Sequence, residues 1–227
     1  MSAFLSFVAA DAAYVLTDGA SYDATGVVRE IGRKVRLARK APVAIASRGD
    51  KRVGDLWAEH LCAFADVRGV DALVAALPAI LGGIARDAEM RAAMSGQQAT
   101  EVLMAGVAKD GPFHRVFRTV GDSAYVAETP DPLFYAGQLE TDPTNFVPRP
   151  QPGESAEAWI LRGGVAILEA CRSQSGLLPS GEVGFFAIGG QIDLTTITTD
   201  FSRIETLKVW PEDVVGQKIV PTRRAAA

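Results

Sequence analysis

Apolar and polar positions alternate along the first fifty residues, a period of two that is typical of β-strands with one buried face. A turn at Ala10-Asp11 is expected to join the first two strands into a hairpin. The apolar start MSAFLSFVAADAA lacks the basic residues and the length of a secretory signal, so the strand interpretation is preferred. The predicted strands are 3–9, 12–17, 26–30, 34–38 and 42–47.

The apolar period then changes to three and four residues, which predicts helices over 50–66 and 70–93, with Pro78 inside the second. A third helix is predicted from a cap at Ser155 to about Ser173. Strands at 100–108 and 113–119 are expected to pair through the turn KDGP. Further strands are predicted at 132–138, 182–188, 191–199 and 205–210, with Gly189-Gly190 as a hairpin turn between the second and third of these.

This order of elements predicts an α+β fold with β-sheets between helical layers. The length of 227 residues, the 48% hydrophobic content and the 22% charged content are those of one globular domain, 1–227. The chain has a proline-rich insertion at 139–154, LETDPTNFVPRPQPGE. It is expected either to cover a functional site or contact a partner, or to be only a loop on the surface.

Charge and cysteine content limit the possible partners. The net charge of −4 gives no overall attraction to nucleic acid, and no apolar run is long enough to span a bilayer. Cys62 and Cys171 both lie in helical stretches, where we expect buried thiols in a reducing compartment. The sequence therefore predicts a cytoplasmic protein with no nucleic-acid or membrane partner.

Common metal-binding and catalytic motifs do not account for the chain. Its two histidines, His60 and His114, are too few for a histidine-rich metal site, and we expect no metal or cofactor. His60 is interpreted as a structural residue and His114 as an exposed residue after a turn. A basic run is interpreted as a solvated strand face rather than a phosphate site; it comprises Arg29, Arg33, Lys34, Arg36, Arg39 and Lys40.

Three chemically useful residues are spaced equally. Ser2 becomes the first residue if Met1 is removed, and Asp18 and Lys34 follow at equal intervals. A terminal serine carries its own base, because its α-amine, with a pKa of about 7.7–8.0, can accept the hydroxyl proton. A nearby ammonium keeps that amine neutral, and a carboxylate holds the ammonium. With an N–H from Gly49 for the oxyanion, the residues predict nucleophilic catalysis.

The spacing from Ser2 to Asp18-Gly19, to RKVR at 33–36 and to Gly49 resembles the proteasome-type N-terminal nucleophile hydrolases. The nearest of these are the bacterial HslV-type and Anbu-type peptidases. The resemblance is good over residues 2 to about 66 and looser afterwards. It implies a four-layer αββα sandwich, assembly into a homo-oligomeric ring, and catalytic roles for Ser2, Asp18, Lys34 and Gly49.

The resemblance also implies a substrate and partners. A peptide or protein substrate is expected to add as an extended strand between the loops at 20–23 and 47–50. An ATPase unfoldase or a particle-assembly partner is a further expectation. Ring contacts are expected from the first helix, through Leu56, Leu61 and Phe64. The expected substrate-binding residues are Ser21, Tyr22, Ser47 and Arg48.

The chain departs from the family pattern in several places. Serine replaces the usual threonine, and YAGQL replaces a Gly-Ser-Gly before the third helix, so a supporting serine is missing. Arg172 stands three residues before Ser175-Gly176, where the family has an acidic residue. Two alternatives therefore stay open beside a peptidase: an amidase for small amides, and a catalytically silent subunit with a structural or assembly role, for example in a phage or prophage.

Overall fold

The computed structural model describes residues 2–86, 100–120, 123–128, 132–137, 149–177 and 183–221. Its fold is mixed α+β, as the sequence predicts. The N-terminal strands are β1 (Phe4–Val8), β2 (Ala13–Asp18), β3 (Ala20–Tyr22), β4 (Val28–Ile31), β5 (Val35–Leu37) and β6 (Val43–Arg48). The central elements are α1 (Lys51–Arg68), α2 (Val70–Arg86), β7 (Thr100–Ala108), β8 (Gly111–Val120), β9 (Ser123–Glu128) and β10 (Leu133–Ala136). The C-terminal elements are α3 (Ala156–Arg172), β11 (Ser175–Leu177), β12 (Val183–Phe186), β13 (Gln191–Ile197) and β14 (Ser202–Val209).

Two antiparallel sheets dominate the described residues. The first sheet has the order β10-β1-β2-β13-β14, and the second has the order β5-β6-β7-β8-β9. Small two-stranded sheets are formed by β3 with β4 and by β11 with β12. The predicted hairpins at the N-terminus and at KDGP are confirmed, since β1 pairs with β2 and β7 pairs with β8.

The three largest of four apolar clusters among the described residues pack the helices and the two main sheets together. One cluster packs α1 and α2 on the second sheet, where the rings of Trp57 and Phe117 meet with centroids 4.9 Å apart. Another lies between the two sheets and includes Phe4 and Leu103. The third packs α3 on the first sheet and includes Leu16. Removal of this apolar surface from water is the main stabilising term for both sheets.

Side-chain caps fix the starts of α1 and α3. The Oδ1 of Asp50 accepts a hydrogen bond from the N–H of Val53 at 2.9 Å. The predicted cap at Ser155 is confirmed, because its Oγ accepts from the N–H of Ala158 at 3.1 Å. The cap at Asp50 places the N-terminus of α1 directly after the loop that contains Gly49.

Several sequence predictions are wrong. The strands β12 and β13 do not form a hairpin: β12 pairs with β11, while β13 pairs with β2 and β14. His114 is buried at 3% exposure, since its ring points inward from β8 and Nδ1 lies 3.0 Å from the Oγ of Ser6. Leu61, which was expected to contact a neighbouring chain, is instead fully buried in the core of this chain.

Some elements are not evident from the sequence, and parts of others lie outside the described residues. Strands β3, β9 and β11 were not predicted, because each is short or lacks a clear alternation. Helix α2 is described to Arg86, and the rest of the predicted span to 93 lies outside the described residues. Of the proline-rich insertion, 139–148 is likewise outside them. Its end is held by Glu154, which forms an ion pair with Arg162 at 2.7 Å.

Candidate active site

The first sheet brings Ser2 and Asp18 together. Ser2 lies two residues before β1, and Asp18 is the last residue of β2, which pairs with β1. The pairing continues beyond the strands, because the N–H of Ala3 donates to Oδ1 of Asp18 at 3.1 Å. Antiparallel register therefore places the start of the chain against the carboxylate.

Lys34 reaches the same point from the second sheet. It lies directly before β5, and its Nζ is 2.8 Å from Oγ of Ser2 and 2.8 Å from Oδ2 of Asp18. The Lys34 side chain is 11% exposed and that of Asp18 is fully buried. Burial lowers the pKa of Lys34, and the neighbouring Asp18 carboxylate partly offsets this effect.

The Asp18 carboxylate is fully engaged. Besides Lys34 and the N–H of Ala3, it accepts the N–H of Gly189 at 3.4 Å. The two oxygens of the carboxylate thus accept from three donors. The Asp18 carboxylate therefore fixes the position of the Lys34 amino group. That group donates a hydrogen bond to Oγ of Ser2, so the hydroxyl proton of Ser2 is free to bind a different acceptor.

A small cleft that is open to solvent lies beside Ser2. Four of the predicted residues line it: Ser21, Ser47, Arg48 and Gly49, in addition to Ser2 and Lys34. Tyr22 is not among the described residues that line the cleft; its ring meets Phe185 with centroids 4.5 Å apart. The remaining lining residues are Gly19, Glu30, Gly32, Arg33, Lys51 and Asp55.

Two glycines shape the wall that β6 and α1 contribute to the cleft. Gly49 has φ of 105°, a backbone conformation that a residue with a Cβ rarely adopts. Gly54 lies in the first turns of α1, where an added Cβ would come within 2.0 Å of Oγ of Ser47. These glycines let the end of β6 turn closely into α1 beside Ser2.

Charges around the cleft are mostly paired. Arg48 forms an ion pair with Glu101, whose side chain is 3% exposed and which also binds Arg118. Lys51 is 2.8 Å from Asp55 and 3.6 Å from Glu30. Arg48 is therefore held against a buried carboxylate, whereas Lys51 and its two partners are exposed to solvent.

A second layer of residues was missed by sequence reasoning. The hydroxyl of Tyr135 lies 2.8 Å from Sγ of Cys171, and burial raises the pKa of that thiol to about 11. An added Cβ at Gly137 would come within 1.9 Å of the Tyr135 hydroxyl. The side chain of Tyr135, the first residue of YAGQL, therefore occupies the space that a side chain at Gly137 would need. Nothing in the local pattern predicts this contact, because the partners are brought together by α3 and β10.

The described residues contain no cluster of three or more histidine, cysteine, aspartate or glutamate side chains suited to a metal ion. Among the described helices, none is long and apolar enough to cross a membrane. No family model matches the chain, and no curated protein matches it either. The resemblance to N-terminal nucleophile hydrolases therefore rests on the residues quoted from the sequence.

Proposed function

We propose that this chain is a proteasome-like N-terminal serine hydrolase that cleaves peptide or other amide bonds once Met1 has been removed. One observation carries the proposal: Nζ of Lys34 lies 2.8 Å from both Oγ of Ser2 and Oδ2 of Asp18. The three residues are far apart in the chain, and they meet beside an open cleft. A buried ammonium that binds a serine oxygen has an evident use in nucleophilic catalysis.

The proposed acylation step uses the α-amine of Ser2 as base. The amine takes the proton from Oγ while Oγ bonds to the substrate carbonyl carbon, and the carbonyl oxygen becomes an oxyanion. The N–H of Gly49 stabilises this oxyanion. The intermediate collapses as the C–N bond breaks, and the departing amine takes the proton held by the α-ammonium, which leaves an ester on Ser2.

Deacylation repeats these transfers with water. The α-amine removes a proton from water, the resulting hydroxide attacks the ester carbonyl, and the C–O bond to Ser2 breaks. The α-ammonium then returns its proton to Oγ, so the free serine is regenerated. In both steps the ammonium of Lys34 lowers the pKa of the neighbouring α-amine by charge repulsion and keeps it neutral. Asp18 holds that ammonium in place.

The cleft has the features of a strand-binding groove. Ser21 from β3 lines the cleft, and so do Ser47 and Arg48 at the end of β6. A peptide in an extended conformation would add its backbone N–H and C=O groups between these two edges. The bound carbonyl would then lie between Ser2 and Gly49.

We further propose a four-layer αββα sandwich and a homo-oligomeric ring in the cytoplasm. The sandwich is supported by the clusters that join α1 and α2 to one sheet, the sheets to each other, and α3 to the other sheet. The reducing compartment is supported by Cys62 and Cys171, which are buried free thiols. Light scattering tests the ring: a monomer whose mass is independent of concentration would contradict it.

The hydrolase proposal is tested on protein whose N-terminus has been checked by intact mass. Loss of Met1 is required, followed by hydrolysis of short fluorogenic peptides and acylation of Ser2 by a peptide epoxyketone or β-lactone. Ser2→Ala and Lys34→Ala are expected to abolish both signals. Lys40→Ala, an exposed lysine of the same basic run, is the matched control and should retain them.

A specific observation favours the alternative of a silent subunit with a structural or assembly role. The sequence YAGQL stands where the family has Gly-Ser-Gly, so the supporting serine is missing, and the Tyr135 hydroxyl contacts Sγ of Cys171 instead. The same experiment separates the two proposals. Retention of Met1, or equal behaviour of wild type and Ser2→Ala, favours the silent subunit, and cleavage of small amides without peptides favours an amidase.

A further inference from the structure

The backbone of Gly189 contacts the Asp18 carboxylate and the two residues that follow Asp18 in the chain. Its N–H donates to Oδ2 of the Asp18 carboxylate at 3.4 Å. Its carbonyl accepts the N–H groups of Gly19 at 3.0 Å and Ala20 at 2.9 Å, the two residues that follow Asp18. The position of Gly189 therefore sets the position of the carboxylate that holds Lys34.

The segment around Gly189 is held in turn by Asp213 and Arg172. The N–H of Gly190 donates to Oδ2 of Asp213 at 2.7 Å, and Nη1 of Arg172 donates to the carbonyl of Ile188 at 2.9 Å. Arg172 and Asp213 bind each other through two hydrogen bonds of 2.7 and 2.9 Å. One buried ion pair thus fixes the residues on both sides of Gly189.

Packing leaves this segment little freedom. A Cβ added at Gly189 would lie 2.4 Å from Oδ2 of Asp213 and 2.9 Å from Nη1 of Arg172. The guanidinium of Arg172 lies 4.5 Å from the ring centroid of Trp210, and the backbone N–H of Trp210 donates to the carbonyl of Gly190 at 2.9 Å. A displacement of the guanidinium would therefore move Ile188, which it contacts, and Gly190, which Asp213 contacts, and with them the Gly189 backbone between the two.

We infer that Arg172 is a positioning residue for the active site, acting through Asp213 and the Gly189 backbone on the Asp18 carboxylate. The inference rests on the proposed function, because it assigns Arg172 to the alignment of Asp18, Lys34 and Ser2. Arg172 does not touch the cleft beside Ser2, and its effect is mediated by backbone hydrogen bonds.

The guanidinium is required for its shape as well as its charge. Its planar fork binds both oxygens of Asp213 and still donates to the carbonyl of Ile188. A lysine would keep the charge but provides a single point of donation, and it cannot reproduce the fork or the stacking on Trp210. Arg172→Lys therefore removes the positioning with the smallest change in buried charge.

The first measurement is acylation of Ser2 by a β-lactone probe, with the maximal rate and the half-saturating concentration determined separately. Arg172→Lys should lower the maximal rate on the order of 100-fold, because small displacements of reacting groups have effects of this size. The half-saturating concentration should not change, since the cleft is intact. Glu212→Gln is the matched control: Glu212 contacts Arg172 at 3.1 Å but is partly exposed and does not touch Gly189, so its rate should equal wild type.

The second measurement is the NMR shift of the Gly189 amide proton, which needs no activity. Asp18→Asn, which removes the charged acceptor, gives the reference shift, and Arg172→Lys should move the signal towards it. If Arg172→Lys fails to fold, Asp213→Asn takes its place, and it should move the Gly189 signal in the same direction.

The inference would be overturned if Arg172→Lys had the same Gly189 amide shift and the same acylation rate as Glu212→Gln. It would also be overturned if Arg172→Lys were acylated more slowly while its Gly189 amide shift stayed at the wild-type value. A wild-type protein without Met1 that is never acylated refutes the proposed function instead. The Gly189 shift then decides the inference alone: movement supports the positioning role, and no movement overturns it.

Discussion

The Nζ of Lys34 lies 2.8 Å from Oγ of Ser2, although 32 positions separate the two residues in the chain. Lys34 precedes a strand of the second sheet and Ser2 precedes a strand of the first, so the contact joins the two sheets. Its length depends on how the sheets pack, and hence on the apolar layer between them. The site is therefore sensitive to substitutions that leave its own side chains unchanged.

Replacement of Lys34 by arginine should abolish acylation of Ser2. Lys34 is only 11% exposed and contacts two partners at 2.8 Å, so the longer, planar guanidinium cannot occupy the same position. The expected loss in the rate of labelling by a β-lactone probe is on the order of 100-fold or more. Lys40→Arg makes the same change at an exposed lysine that does not line the cleft and should label at the wild-type rate. Equal rates for Lys34→Arg and wild type would contradict the proposed role of Lys34.

Local pattern was sufficient to predict the parts of the site that lie at strand ends. Alternation identifies β1, β2 and β5, and a hairpin between the first two necessarily brings the start of one near the end of the other. Ser2 and Asp18 meet for that reason. Lys34 joins them because β5 begins at the next residue, which the basic, β-branched run indicates.

Contacts that depend on long-range packing were not predictable in this way. Arg172 and Asp213 are 41 positions apart, and His114 and Ser6 are 108 apart. No periodicity links such residues, because each pair is formed only when separate elements pack together. For the same reason the Gly189-Gly190 pair was predicted to be a hairpin turn, whereas it carries the chain from the small sheet of β12 into the first sheet beside Asp18.

Two glycines within helices should respond oppositely to alanine. A Cβ at Gly83 in α2 meets nothing within 4 Å, so Gly83→Ala should raise the free energy of unfolding by about 0.5–1 kcal/mol through helix propensity. A Cβ at Gly164 in α3 would come within 2.8 Å of the fully buried Leu16, so Gly164→Ala should lower it by about 1–3 kcal/mol. Urea unfolding measures both free energies. If Gly164→Ala were more stable than wild type, the Leu16 side chain would have moved to accommodate the added methyl group.

Asp66 should make the stability depend on pH. Burial raises the pKa of this carboxyl, but the backbone N–H groups of Arg39, Lys40 and Ala41 outweigh that effect and lower it overall. A lowered folded-state pKa means that the stabilisation is present at neutral pH and is lost as pH falls through the folded-state value. Asp66→Asn should therefore reduce the free energy of unfolding by about 1 kcal/mol at pH 7, less in acid. A pH-independent difference between the two proteins would contradict this.

The two thiols should resist alkylation in the folded protein. Burial raises the pKa of Cys62 to about 12 and that of Cys171 to about 11, so almost no thiolate forms near pH 8. Mass spectrometry after iodoacetamide treatment should show no modification in buffer and two modifications in urea. Rapid native labelling of either thiol would show that α1 or α3 opens locally.

The buried pair of Asp18 and Lys34 should show strong energetic coupling. Lys34→Met leaves the fully buried Asp18 carboxylate without its counter-charge and should lower the free energy of unfolding by about 3–5 kcal/mol. Asp18→Asn removes the charge and keeps one oxygen, which can accept the N–H of Ala3, while its amide nitrogen takes the place of the oxygen that faces the N–H of Gly189. The double variant should therefore be more stable than Lys34→Met alone, because no uncompensated charge remains. Additive losses in urea unfolding would show that the pair is not coupled.

The same pair fixes the sign of an alkaline pH effect. Burial lowers the pKa of Lys34 below its ordinary value of 10.5, with Asp18 opposing the shift, so the unfolded chain binds this proton more tightly than the folded one. Stability contributed by Lys34 should then rise with pH between the folded-state pKa and about 10.5, where the unfolded chain carries more protons. Unfolding of wild type and of the double variant, compared from pH 7 to 10, measures it. A difference that stays constant or falls with pH over this window would mean that Lys34 is not desolvated as the structure indicates.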